Sequence, residues 1–338
     1  MLTINHKVKE IHHCQPGNIP EFVLSSTEPV ILKNFGSSWP MVIAGKISPQ
    51  SAADYLRKFY TNAPITAYYG EPKNNGRVFY NENMTGFNFN SSKANLNQIF
   101  NKLLEHLDDP QPPTMYMGST EINHCLPGYN EENNAAIDHL KPLTSIWLGN
   151  KSKIAAHFDF PNNLACCVVG RRKFTLFPPE QLENLYVGPM EFAPGGQEIS
   201  LVDFDHPDFV KYPKFKQALA SAQVAELEAG DALFLPSMWW HHVESLTAFN
   251  VLVTHWWRDS PAFMGRPNNA LMLAMLSLKD LPLAQRKAWQ AQFNYYIFEH
   301  DQEDFSHIPT AAQGRLSKPL DELLAKQIRA DLLNKLKR

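Results

Sequence analysis

The chain contains little cysteine, and its cysteines are not spaced to bind a structural metal. Its 338 residues include four, Cys14, Cys125, Cys166 and Cys167, and none of them forms a C-x-x-C pair. That spacing is the usual signature of zinc ribbons and of thiol redox motifs. Two adjacent cysteines are also poorly placed to bridge each other. We therefore expect buried, reduced thiols in a cytoplasmic protein.

Long apolar runs and an excess of one charge are missing as well. No run of eighteen apolar residues occurs, so we predict no membrane span, and the N-terminal residues lack the apolar stretch of a signal peptide. The 31 basic and 34 acidic residues give a net charge of −3, which argues against a general nucleic-acid binder. Within the core, Arg171-Arg172-Lys173 is the one obvious local basic cluster. Apolar residues make up 44 % of the chain, enough for a substantial core.

The most informative feature is a His-x-Asp pair with a distant double histidine. His157 and Asp159 are followed 82 residues later by His241 and then His242. On an extended strand, residues two apart point to the same side, so His157 and Asp159 can reach one ion. Two imidazoles and one carboxylate leave other coordination positions open, which is the ligand set of non-haem Fe(II) oxygenases. The third ligand must come from a distant strand, where alternation lets only one of the adjacent histidines face the ion.

The remaining pattern predicts a mostly β chain with added helices, an α+β fold. From about residue 145 to 257, short apolar runs alternate with Pro and Gly, typical of a double-stranded β-helix, a jelly-roll of two facing sheets. Residues 1 to about 65 indicate an α/β lead-in, with a helix start at Ser48-Pro49. Residues 179 to 223 form a long connection that we expect at the mouth of a site. The chain ends in helices with an apolar stripe at Leu320, Leu324, Ile328 and Leu332.

Five ordered blocks resemble one enzyme family. They are Glu28–Lys33 through Trp39-Pro40, His157–Asp159, Gly170–Pro179, Gly230-Asp231 to Ser245-Leu246, and the strand ending in Trp256-Trp257. Here the chain resembles the JmjC-type, cupin-like 2-oxoglutarate oxygenases, in the branch of the asparaginyl hydroxylase called factor inhibiting hypoxia-inducible factor. The resemblance implies an oxygenase domain over residues 1–262 and a C-terminal helical dimerisation region over residues 263–338. The alternative for the terminal helices is packing onto the chain's own core.

The resemblance also implies which histidine binds the metal. It places His241, the first of the adjacent pair, on Fe(II) together with His157 and Asp159, and it leaves His242 in a structural role. It implies 2-oxoglutarate and O2 as co-substrates. His255 is expected to be a packed core histidine, and the tryptophans around the site are expected to be core as well.

Further residues are implied for 2-oxoglutarate, whose far carboxylate needs a cation. The family uses a lysine two residues after the position of Gly170, where this chain has Arg172, and Lys173 is the alternative. A guanidinium can bind a carboxylate through two hydrogen bonds, so the role is chemically preserved. Tyr116 matches a tyrosine that bonds the same carboxylate, and Asn163 matches an asparagine near the iron.

Three positions depart from the asparaginyl hydroxylase. Ile154 stands in place of a threonine on the co-substrate, Thr254 in place of a pocket asparagine, and Gly118 in place of a glutamine that contacts the target peptide. The first two leave the mode of 2-oxoglutarate binding open, with Thr254 kept as a binding residue. The third leaves the substrate open.

The resemblance implies a 2-oxoglutarate-dependent dioxygenase, a hydroxylase, acting on an unidentified substrate. A protein or peptide side chain is the first expectation, and a small molecule or modified nucleotide is the second. Demethylation is less favoured, because no methyl-lysine cage is recognisable. Two alternatives stay open: a metal-binding cupin-like protein without turnover, and a cupin isomerase or hydrolase that uses another metal. The expected assembly is a homodimer through the C-terminal helices.

Overall fold

The structure, a computed structural model, describes residues 4–302 and 305–337. The chain divides into two compact units, Met1–Asp259 and Ser260–Arg338. The assignment of oxygenase and dimerisation roles to residues 1–262 and 263–338 remains a prediction, and the ends of those ranges, residues 1–3 and 338, lie outside the described residues. Among the described helices, none is long and apolar enough to cross a membrane.

The first unit is built on two β-sheets, which confirms the predicted mostly β fold with a jelly-roll core. Its strands are β1 (His6–Lys7), β2 (Lys9–Ile11), β3 (Val30–Leu32), β4 (Ile65–Gly70), β5 (Arg77–Val78), β6 (Phe89–Ala94), β7 (Thr114–Glu121), β8 (Leu143–Gly149), β9 (Lys153–His157), β10 (Asn162–Val169), β11 (Arg172–Phe177), β12 (Gln223–Leu227), β13 (Ala232–Leu235), β14 (Trp240–Ser245) and β15 (Asn250–Trp257). The smaller sheet has the order β1-β12-β11-β14-β9-β5, and the larger has the order β2-β3-β13-β10-β15-β8-β7-β4-β6. Neighbours are antiparallel except for β1–β12, β2–β3 and β5–β9.

Both units contain α-helices. The first unit contains α1 (Glu21–Leu24), α2 (Pro40–Ile47), α3 (Pro49–Arg57), α4 (Leu96–Glu105), α5 (Ile122–Cys125), α6 (Tyr129–Glu132) and α7 (Phe215–Ser221), and the second contains α8 (Pro267–Leu278), α9 (Leu283–Phe293), α10 (Thr310–Gln313) and α11 (Glu322–Leu336). The start of α3 is as predicted, because the Ser48 hydroxyl accepts a hydrogen bond from the backbone N–H of Ser51. Helix α11 begins two residues later than Leu320, because Asp321 caps it by accepting from the N–H of Leu324.

Strand β10 is buried on both faces. One face packs against helices, and the other faces the space between the two sheets, where a site can form. Leu164, Cys166 and Val168 join the apolar cluster that contains residues of α2, α3 and α4. Ala165 and Cys167 join the separate cluster between the two sheets. Because side chains alternate along a strand, every second residue of β10 faces the space between the sheets. All four cysteines are buried and free, which confirms that part of the prediction.

Candidate metal centre and cavity

His157, Asp159 and His241 converge at one point between the sheets. His157 ends β9, His241 lies near the start of β14, and the two are direct partners in the antiparallel ladder. Their ring centroids are 4.2 Å apart, and Nε2 of His241 lies 3.8 Å from Oδ2 of Asp159. One potential ligand atom from each residue lies within 4.8 Å of the other two. The three side chains can therefore surround a single ion.

Asp159 reaches this point from outside the strand. The His-x-Asp spacing predicted both residues on one extended strand, but β9 ends at His157. Asp159 lies in the connection to β10, where its backbone oxygen accepts a hydrogen bond of 2.9 Å from the N–H of Met238. The convergence therefore depends on the segment that precedes β14 as much as on strand alternation.

Backbone hydrogen bonds set the orientation of both imidazoles. Nδ1 of His157 lies 2.8 Å from the carbonyl oxygen of Ala155, and Nδ1 of His241 lies 3.0 Å from that of Trp239. A carbonyl can only accept, so in each neutral ring Nδ1 carries the proton and the Nε2 lone pair is free. Burial, reinforced by the neighbouring His157, lowers the pKa of His241 to about 4. A neutral ring with a free Nε2 is the form that binds a metal.

His242 points away from this centre. Its ring stacks on Phe204 with centroids 4.5 Å apart, and burial lowers its pKa to about 3. Alternation along β14 directs the two adjacent histidines to opposite faces of the sheet. The structure thus brings His241, and not His242, to the triad. His255 is buried, with Nδ1 hydrogen-bonded to the carbonyl oxygen of Leu164, which agrees with its expected core role.

A small inner cavity extends from the triad to Arg172. The Arg172 side chain is 3 % exposed, and among the described residues it forms no ion pair and its Nε has no hydrogen-bond partner. Burial lowers its pKa, an effect opposed by Cys167 and Tyr116, but a guanidinium stays protonated in proteins. Burying an unpaired charge is costly, so this wall favours an anion in the cavity.

Lys173 does not reach the cavity. It lies on the opposite face of β11, where its Nζ is 2.9 Å from Oε1 of Glu244. Arg171 is paired too, with its Nε 2.9 Å from Oε1 of Glu228. The basic cluster of the sequence is therefore not an exposed basic patch, because two members are paired with acids and Arg172 is buried.

The other predicted 2-oxoglutarate residues also line the inner cavity. They are Tyr116, Asn163 and Thr254, and Ile154 lies beside them. Burial raises the pKa of the Tyr116 phenol, which keeps its proton for donation. Oδ1 of Asn163 has no partner among the described residues, and the hydroxyl of Thr254 accepts a hydrogen bond of 2.9 Å from the indole N–H of Trp147.

A larger outer cavity of about 620 Å³ adjoins the inner one and shares Tyr116, His157 and Asp159 with it. Trp256 is half-buried and lines both cavities, whereas Trp239, Trp240 and Trp257 are buried, as expected for tryptophans that are mostly core. Pro194, Gly195, Gln197 and Ile199 contribute to the outer wall, as predicted for the long connection. One of them, Gln197, was not singled out from the sequence, and its Nε2 donates to Oδ1 of Asp159 over 3.1 Å. The sequence signal for it was the Pro- and Gly-rich character of this connection.

One family model and several known proteins are similar to this chain. The family described as a cupin-like domain matches residues 16–263. The chain is 35 % identical over 123 residues to the lysine-specific demethylase JMJ31 of Arabidopsis thaliana, which is 36 % of this chain and 22 % of that protein. It is 38 % identical over 106 residues to the tRNA wybutosine-synthesizing protein 5 of Gallus gallus, which is 31 % of this chain and 30 % of that protein. The matched stretches span less than a third of either relative.

Among solved structures, the X-ray structure of E. coli ycfD aligns with 94 % of this chain and 67 % of its own chain. The identity is 12 % and the TM-score is 0.42.

Proposed function

We propose, from the premise that the chain belongs to the family of cupin-like domains, that it is an Fe(II)- and 2-oxoglutarate-dependent oxygenase. Its reaction would hydroxylate a C–H bond of a protein or peptide side chain. The observation that carries the proposal is that a His-Asp-His triad shares its cavity with a buried arginine that has no ion-pair partner among the described residues. The triad suits a divalent metal with open positions, and the arginine suits an anionic co-substrate.

The donor set fits iron. His157 and His241 would bind through Nε2, because Nδ1 of each is engaged by a backbone carbonyl. Asp159 would supply one carboxylate oxygen. Bound iron would supply oxidation of the substrate by O2, coupled to conversion of 2-oxoglutarate into succinate and CO2. The backbone hydrogen bonds to both Nδ1 atoms fix the orientation of the imidazoles, as the partners of metal ligands usually do.

The opposite wall fits a dicarboxylate. Arg172 would bind the far carboxylate, and Tyr116 would donate its phenolic proton to the same group. The apolar neighbours Ile154 and Phe174 line the space between the arginine and the triad. Such a wall excludes water and strengthens the charged hydrogen bond. The departure at Ile154 would remove a side-chain hydrogen bond without removing the carboxylate anchor.

The open outer cavity supports a substrate that inserts one group from outside. A side chain projecting from a peptide meets that description, and the Gly118 backbone and Gln197 line its path. A modified nucleotide is the second candidate, favoured by the likeness to a protein named for tRNA wybutosine synthesis. Incubation with peptide mixtures and with tRNA in parallel, followed by mass spectrometry for an added oxygen atom, separates the two.

The decisive experiment is an anaerobic titration of the Fe(II)-loaded protein with 2-oxoglutarate. We expect a visible metal-to-ligand charge-transfer band in the wild type and in His242→Ala, and none in His241→Ala. Loss of the band in His242→Ala with retention in His241→Ala would show that the ligand assignment is wrong. Iron binding without a band in the wild type would favour the alternative of a metal-binding protein without oxygenase turnover.

A further inference from the structure

The two carboxylate oxygens of Asp159 have different environments. Oδ1 accepts the hydrogen bond from Nε2 of Gln197 at 3.1 Å, while Oδ2 faces Nε2 of His241 at 3.8 Å. The Asp159 side chain is 11 % exposed, so few solvent molecules can compete for either oxygen. The hydrogen bond therefore fixes which oxygen is turned toward the position between the three ligands.

Gln197 lies in the segment of residues 188–199, which is held in place by contacts with the rest of the chain. At its base, the N–H of Gly188 donates to the carbonyl oxygen of Ile199 over 2.9 Å. Between base and tip, the ring of Phe192 stacks on Phe87 with centroids 4.6 Å apart and planes 14° from parallel. Contacts on both sides thus limit where the amide of Gln197 can go, which favours a defined hydrogen bond over a passing one.

The geometry points to Gln197 as a positioning residue of the metal centre. We infer that its carboxamide holds Oδ1 of Asp159, so that the carboxylate binds the ion through Oδ2 alone. This inference rests on the proposed metal site. A carboxylate without that restraint can bind a cation through both oxygens, and the second oxygen would fill a coordination position that an oxygenase must keep open.

A neutral amide is suited to this task. It donates to the carboxylate without adding a charge, so it restrains Asp159 while leaving its negative charge for the metal. A lysine or arginine in its place would compete with the metal for the same charge. Partners that orient metal ligands in this way typically change metal affinity about 10- to 100-fold when they are removed.

The test uses Co(II) as a spectroscopic probe of the full-length protein. Co(II) affinity and its visible absorption spectrum are measured for the wild type, Gln197→Ala and Gln197→Met, which keeps the length but cannot donate. Glu198→Ala, the next residue of the same segment, is the matched control, because Glu198 does not line the outer cavity. We expect both Gln197 variants to bind Co(II) about 10- to 100-fold more weakly with a changed spectrum, while Glu198→Ala behaves like the wild type.

Wild-type affinity and spectrum in Gln197→Met would overturn the inference, whatever the Ala variant does. His157→Ala separates this failure from failure of the proposed function. If His157→Ala binds Co(II) as tightly as the wild type, the metal site itself is wrong. If His157→Ala loses binding while Gln197→Met does not, only the role of Gln197 is wrong. Thermal unfolding of the metal-free variants checks that each is folded.

Discussion

Arg172 carries a positive charge into a cavity where it has no ion-pair partner among the described residues. If the far carboxylate of 2-oxoglutarate supplies the missing partner, removing the guanidinium leaves that carboxylate buried and unpaired. Breaking a buried charged pair on one side costs about 3–5 kcal/mol. We therefore predict that Arg172→Ala weakens 2-oxoglutarate binding by about two orders of magnitude or more, as measured by anaerobic titration, with Fe(II) affinity unchanged.

Lys173→Ala is the matched control for this prediction. Its ammonium is paired with Glu244 on the other face of the strand, so its loss should leave the titration as in the wild type. Arg172→Lys should recover part of the affinity, since an ammonium restores the charge without the paired hydrogen bonds of a guanidinium. A normal titration for Arg172→Ala together with a weakened one for Lys173→Ala would mean that the anchor lies one residue further along β11.

At the scale of elements, the turn between β10 and β11 sets the register that turns Arg172 inward. Gly170 has φ = +79°, and a Cβ there would clash with Oγ1 of Thr247 and lie 2.7 Å from the backbone oxygen of Phe249. We predict that Gly170→Ala lowers the free energy of unfolding by more than the roughly 1–3 kcal/mol expected for the backbone strain alone. Urea unfolding measures the change.

Gly196→Ala is the control for the contact part of that cost. Gly196 has φ = +86°, but no atom of the described residues lies within 4 Å of an added Cβ, so it carries the strain without the clash. If both variants lose the same free energy of unfolding, the turn relaxes around the added Cβ, and the close contacts at Gly170 add nothing to the cost of the backbone strain. A larger loss at Gly170, with weaker 2-oxoglutarate binding, would tie the turn to the site.

The features that local periodicity determines could be predicted from the sequence, whereas the hydrogen bond that a distant loop makes to the metal site could not. The jelly-roll strands and the start of α3 follow from short apolar runs and a capping serine. Alternation also explains why only one of the adjacent histidines can join the triad, and the family resemblance indicated that this one is His241. It could not show that Asp159 lies beyond its strand, since strand ends depend on tertiary hydrogen bonds. It could not pair Gln197 with Asp159 either, because Gln197 lies 38 positions further along the chain, in an irregular connection beyond β10 and β11.

At the scale of the whole molecule, the buried histidines make the free energy of unfolding depend on pH. Burial lowers the pKa of His255 and His241 to about 4 and that of His242 to about 3, from an ordinary value of 6.5. These histidines therefore bind protons near pH 6.5 in the unfolded chain, whereas in the folded chain they bind them only at about pH 4 or below. The sign follows: the metal-free protein should lose stability as pH falls through this window, by up to about 3 kcal/mol for His255 alone.

Thermal unfolding from pH 7.5 to 4.5 measures this dependence. We predict a shallower slope for His255→Asn, even if its stability at neutral pH is lower, because one proton-linked group is gone. His139→Asn is the control, since His139 is exposed. Parallel slopes for wild type and His255→Asn would show that the imidazole of His255 takes up its proton in the folded state as readily as in the unfolded one.

The second unit leaves apolar side chains uncovered along α11, which bears on how whole molecules associate. Leu332, Leu333 and Leu336 share one face of the helix and are 39 %, 55 % and 56 % exposed, whereas Ala325 is buried. Keeping such surface in water is unfavourable by about 25 cal/mol per Å², and uncovered patches often mark an interface. We propose that a second copy of the chain covers α11, because a two-fold contact would bury the same leucines on both subunits.

Sedimentation equilibrium of the full chain tests this dimer, and we expect twice the monomer mass at micromolar concentration. Leu333→Glu and Leu336→Glu should shift the equilibrium to monomer, because each buries a charge in an apolar contact. These positions are sharper probes than Leu324 or Ile328, which are half-buried, so a charge there would also disturb the unit itself. Asn334→Glu adds the same charge at an exposed polar position of the same helix and should remain dimeric if the leucines alone form the contact. If the wild-type chain sediments as a monomer, the proposed dimer is wrong, and the leucines of α11 are simply exposed on the surface of the monomer.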